Sequence, residues 1–193
     1  LGGIVRRIEW EDNNADAFDL SGDATGWGLS LSSNIKIQKD VIRLQGVYGE
    51  GIQNYMNDAP VDIGIQNNFS DPVSPIIGVA LPMWSVVAFW DHTWSDKWTS
   101  SLGGSYLEID NSDALGPVLG PCIIDNSDGQ SADAFHSGTY AAINLIYYPV
   151  PNVLAGIEYT YGQRKNFADD WSYNDNRVAV SFKYSFKQTF GGN

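Results

Sequence analysis

The 193 residues carry 23 acidic and 11 basic side chains, a formal charge of −12, with 43% hydrophobic and 13% aromatic residues. That apolar content can offset the entropy of ordering, which excludes a disordered chain, and the length suits one domain or one small barrel. Cys122 is the single cysteine, excluding an internal disulfide and a cysteine-built metal site.

In chain order, strand-like alternation of apolar and polar residues dominates. Two runs, near Gly3–Trp10 and Ser85–Trp94, alternate poorly. The others are clean: Trp27, Leu29, Leu31, Ile35 and Ile37; Ile42, Leu44 and Tyr48; Trp98, Leu102 and Tyr106; Ala141, Ile143, Leu145 and Tyr147; Val153, Ala155, Ile157, Tyr159 and Tyr161; Val178, Val180, Phe182, Tyr184 and Phe186. Each set is interleaved with Gly, Ser, Asn, Thr or isolated charges. The pattern predicts eight strands, roughly 3–10, 26–37, 41–49, 85–94, 97–109, 135–148, 152–164 and 176–186, and no helix. No apolar run reaches the ~18–20 residues of a membrane helix, and the longest candidate, Ile76 to Trp90, is interrupted by Gly78 and Pro82.

The connections sort into two kinds. Gln38-Lys39-Asp40, Ser95-Asp96 and Pro149-Val150-Pro151 are short turns, whereas 11–23, 50–71, 110–134 and 165–176 read as long polar loops. Those loops hold 17 of the 23 acidic residues and, of the basic ones, only Lys165. Short turns at one end, long loops at the other and strands of about ten residues form the pattern of a transmembrane β-barrel. Aromatic residues at strand ends (Trp10, Trp27, Tyr48, Trp94, Trp98, Tyr147, Tyr161) fit interfacial girdles. An even number of strands ending at Phe186 places the turns at the periplasmic side and the acidic loops outside. A soluble antiparallel sandwich would also alternate, but its polar faces are usually dense in Lys and Glu. The acid-rich loops argue against nucleic acid as a partner.

Ile-Asp-Asn-Ser-Asp occurs at 109–113 and again at 124–128, so 114–128 reads as a duplicated insertion in a loop that tolerates lengthening. Asp125-Asn-Ser-Asp-Gly lacks the spacing and terminal Glu of an EF-hand and reads as a solvated turn. His92 and His136 are the only histidines, with no Gly-x-Ser-x-Gly and no paired-histidine metal motif, so neither catalysis nor a cofactor is expected. The chain opens on Leu1 without a leader-like segment, so any secretory leader is expected to have been removed or to lie outside this stretch.

The chain resembles the DcaP-like porins, outer-membrane channels of Gram-negative bacteria. The resemblance rests on Gly26-Trp-Gly-Leu-Ser-Leu-Ser-Ser-Asn, Leu44-Gln-Gly-Val-Tyr-Gly-Glu-Gly-Ile, Asn54-Tyr-Met-Asn-Asp-Ala-Pro, Phe89-Trp-Asp-His-Thr-Trp and Ser105-Tyr-Leu-Glu-Ile-Asp-Asn-Ser-Asp. It implies a trimeric barrel of about sixteen strands with an aqueous lumen, set in bilayer and lipopolysaccharide and passing small carboxylates. Eight strands would then be the C-terminal half of the barrel, residues 1–186, followed by a tail, 187–193, beyond the aromatic Phe186. The alternative is a closed eight-stranded structural or adhesive barrel without a pore.

Strand parity puts Arg7, Lys36, Arg43, Arg164, Arg177 and Lys183 on the lumen face with Glu9 and Glu158, and Arg6 on the outer face. Fixed cations on a narrow pore wall concentrate anions, and the arginine fork matches a carboxylate; the plainer reading is that they keep the lumen wet. Arg43 is the leading candidate, because its strand alternates cleanly. Asp91 shares lumen parity with Val87 and Phe89.

Overall fold

The computed structural model describes residues 1–56, 61–110, 134–167 and 172–186. Eight strands form one antiparallel sheet: β1 (Gly2–Trp10), β2 (Gly22–Ile37), β3 (Asp40–Glu50), β6 (Pro82–Ser95), β7 (Trp98–Ile109), β8 (Phe135–Tyr147), β9 (Val153–Asn166) and β10 (Ser172–Tyr184). Between β3 and β6 lie a single 3-10 turn (Gln53–Tyr55) and a small hairpin, β4 (Ile63–Asn67) with β5 (Ile76–Ala80). Each strand of the large sheet pairs with its neighbours in chain order, a meander interrupted, among the described residues, by the β4–β5 excursion.

All eight expected strands are present. β2 and β10 start earlier than alternation suggested, at Gly22 and Ser172. Their first residues have weak strand preference and are held by the ladders to Trp10 and Lys165. The connection after β3 is not the open loop expected, since β4 and β5 are each five residues long and too short to stand out by periodicity. Among the described residues β1 and β10 do not pair. Among these residues the sheet is open, without the edge pairing that a closed eight-stranded barrel requires. The repeat and insertion beyond Asp110, Cys122 and the 187–193 tail lie outside the described residues.

Cross-strand partners point to the same side of a sheet, so the registers assign every side chain to a face. One face carries Val5, Leu29, Leu31, Leu44, Val86, Leu102, Ile143, Leu145, Ile157, Val178, Val180 and Phe182, all exposed although apolar. In water such a patch is a liability; against lipid it is the required surface. Aromatic pairs flank it at both ends. Trp27–Tyr48 (5.7 Å between ring centroids) and Trp84–Tyr106 (5.1 Å) lie toward the long loops, and Trp98–Tyr147 (4.4 Å) and His92–Trp94 (4.2 Å) toward the short turns. From Trp84 to Trp94 is about ten residues at about 3.3 Å each. Tilted by about 40°, that spans about 25 Å, the height of an outer-membrane apolar band.

The opposite face mixes Gly, Ser, Thr, Asn and charged residues with scattered apolar ones such as Val41, Val87, Phe89 and Leu154. It has one buried apolar cluster, Val47, Ile52, Leu81, Met83, Ile109 and Phe135, where the segment between β3 and β6 lies on the sheet. A sheet with one wet and one apolar face places its functional groups on the wet one.

Candidate functional site

Lys36, Arg43, Glu158, Arg164, Arg177 and Lys183 all fall on the polar face, as expected. Lys36 and Lys183 sit near the short turns, with Lys36 opposite Val41 and Lys183 opposite Leu154. Arg164 sits at the loop end, where its Nε donates to Asn166 Oδ1 at 2.9 Å and its guanidinium lies 5.7 Å from the Phe135 ring centre. Arg43 and Arg177 occupy one transverse row, running Asn34, Arg43, Phe89, Gly103, Ala142, Thr160, Arg177 across seven strands.

Arg7 is a correction. It stands opposite Thr25 on the face of Val5 and Trp27, not opposite a polar-face residue, and Glu9 opposite Asp23 goes with it. Arg7 Nε reaches Glu9 Oε1 at 3.0 Å and Asp23 Oδ2 at 3.3 Å, an exposed cluster at the loop end beyond the apolar band. Arg6 takes the polar-face position instead, opposite Gly26. Adjacent arginines in a poorly alternating strand give parity nothing to fix on, and the register with β2 decides.

Arg6 also locates the segment that follows β3. Its Nη1 donates to Asn54 Oδ1 (2.6 Å) and Gly51 O (3.4 Å), and pairs with Asp62 Oδ2 at 3.0 Å, both side chains less than one-fifth exposed. Ile52 drops into a notch on the sheet: a Cβ on Gly28 would stand 2.4 Å from its Cδ1, and one on Gly49 2.8 Å. Gly51 turns the chain inward with φ +63°, a conformation glycine adopts at little cost. Gln53 is fully buried and donates to Leu81 O at 2.9 Å. At the far end the hairpin is tied to the first loop, Asp19 N to Val73 O at 3.0 Å and Ser74 Oγ to Asp19 O at 2.6 Å. The segment is thus a fixed part of the polar face. The signal in the sequence was the facing glycines, Gly26 and Gly28 against Gly49 and Gly51, since glycine within strands marks close approach of another backbone.

Around Arg43 the polar face carries a transverse network. Arg43 Nε donates to Asp91 Oδ2 at 2.7 Å, Asp91 Oδ1 accepts from Ser101 Oγ, and Ser101 N donates to Asn144 Oδ1 at 2.8 Å. Glu158 stands opposite Asn144 in the next strand. Asp91, which shares its strand face with Phe89 and Val87, is the partner that composition around it obscured. In the acidic loops, backbone N–H groups hold two carboxyls below the usual range: Asn14 and Leu20 at Asp12, Val73 and Ser74 at Asp71. Among the described residues no group of three or more His, Cys, Asp or Glu is placed to hold a metal.

No protein-family model matches the chain, and no match is found among curated proteins. The structure is similar to the crystal structure of the outer membrane channel DcaP of Acinetobacter baumannii. The TM-score is 0.63 at 22% identity, over 95% of this chain and 46% of that one. The chain therefore has the fold of a porin-barrel segment and spans about half the length of that channel.

Proposed function

We propose that this chain forms part of the wall of an outer-membrane pore through which small anionic solutes, dicarboxylates among them, diffuse passively. The observation that carries it is the two-faced sheet: an exposed apolar belt between aromatic girdles on one side, and on the other a polar face crossed by Lys36, Arg43, Arg177 and Lys183. Cations on a wall of low dielectric raise the local concentration of anions and reject cations. The segment at 51–56 and 61–81 lies on that face and narrows the passage. The open edges of β1 and β10 support completion of the ring by further strands, because an unpaired N–H or C=O in lipid costs several kcal/mol. A Gram-negative outer-membrane location, contact with lipopolysaccharide and assembly as a homotrimer belong to the same proposal, supported by the likeness to the channel. It assigns no catalytic step.

The test is the reversal potential of the full-length protein in planar bilayers under a KCl gradient. The expected result is anion preference, reduced in Arg43→Ala, where Asp91 loses its countercharge. Cation selectivity of the wild type would refute the proposal.

A further inference from the structure

Arg43 is over half exposed, yet it is held from one side only. Its Nε is engaged by Asp91 at 2.7 Å, and among the described residues no hydrogen bond or ion pair occupies Nη1 or Nη2. A guanidinium is planar, so fixing Nε to one carboxylate fixes the direction in which the opposite edge points. Asp91 is in turn held by Ser101 Oγ, and Ser101 by Asn144, so the orienting group is braced across β6, β7 and β8. The residue directly opposite Arg43, in the adjoining strand, is Phe89. Its ring root leans on Gly103, where a Cβ would lie 2.5 Å from Phe89 Cγ.

We propose that Asp91, braced by Ser101, is a positioning residue that presents the Nη edge of Arg43 to a passing carboxylate. The inference rests on the pore reading above and makes a claim that reading does not. A bare arginine would attract every anion, chloride included, in proportion to its charge. An arginine half-neutralised on one edge and aimed on the other attracts small spherical anions less and still offers two parallel N–H donors to a carboxylate. Asp91 therefore trades general anion attraction for discrimination in favour of carboxylates, and its removal moves the two quantities in opposite directions.

The experiment uses the full-length protein in planar bilayers, with KCl gradients for chloride preference and succinate as a blocker of the chloride current. Asp91→Asn is expected to raise chloride preference while weakening succinate block about tenfold, the loss of one oriented charge-assisted contact. Arg43→Lys keeps the charge, loses the fork and is expected to weaken the block similarly. Ser101→Ala, which alters no charge, weakens it in the same direction by about threefold. Heat-modifiable gel mobility establishes that each variant is folded, and a variant that fails this check is replaced by Asp91→Ser. Tighter succinate block in Asp91→Asn would show that Asp91 only masks charge and would overturn the positioning role. So would unchanged block with raised chloride preference. A wild-type protein without conductance would overturn the pore reading itself.

Discussion

Ile52→Ala tests whether the segment after β3 is a fixed constriction. Ile52 is 3% exposed and fills the notch over Gly28 and Gly49, against Val47 and Met83. Truncating a buried isoleucine costs about 2–5 kcal/mol, less where the surroundings can settle into the space. Here the neighbours on the sheet side are strand backbone that cannot move, but the 3-10 turn at Gln53–Tyr55 can. The loss is therefore taken as about 2 kcal/mol, a roughly thirtyfold increase in the population of the undocked segment. Ile52 takes no part in the ladders joining β1, β2, β3 and β6, so the sheet itself should stay folded. Hydrogen exchange in detergent reads the effect at amides that only the docked segment protects: Gly51 (to Leu81 O, 2.9 Å), Met56 (to Gln53 O, 2.9 Å) and Leu81 (to Asp62 O, 3.1 Å). These should exchange about thirtyfold faster, with β7–β9 amides unchanged, and single-channel conductance should rise as the segment leaves the polar face. Uniformly faster exchange throughout the sheet would refute local docking. Faster exchange at these three amides with unaltered conductance would refute the constriction.

Two further outcomes follow from the fold and its loops. In a Cys122→Ser background, a cysteine at Ala17, in the loop after β1, should react with an impermeant maleimide on whole cells, and one at Asp96, in the β6–β7 turn, should not; the reverse pattern would invert the orientation. Asp12 and Asp71 have carboxyls lowered by backbone donors. Their contribution to loop order is present above the ordinary carboxylate value of 3.8 and is lost as pH falls below it through the folded values. Exchange at Leu20 and Val73, corrected for intrinsic rate, should accelerate below about pH 4, and pH-independent protection would show that these carboxylates do not hold the loops.

Much of this protein is written locally. Alternation of period two, as in Val178, Val180, Phe182 and Tyr184 against Arg177, Ala179, Ser181 and Lys183, is a property of neighbouring residues and survives any tertiary arrangement. So does the contrast between short turns and long acidic loops, and the eight strands and the polar-face position of Arg43 were legible for that reason. Alternation says which residues share a side and not which side it is. For Arg6 and Arg7, flanked by no clean run, only pairing with Gly26 and Thr25 settles the matter. The docking of Ile52 and the Arg6–Asp62 pair, 56 positions apart, likewise depend on contacts that no local pattern encodes. Asp91 meets Arg43 from a strand 48 positions on, and its role comes from the register between β3 and β6. The sequence by itself determined the alternation and hence the class of fold. The tertiary structure decided which charges meet, because a one-residue slip in register would send every one of these side chains to the other face.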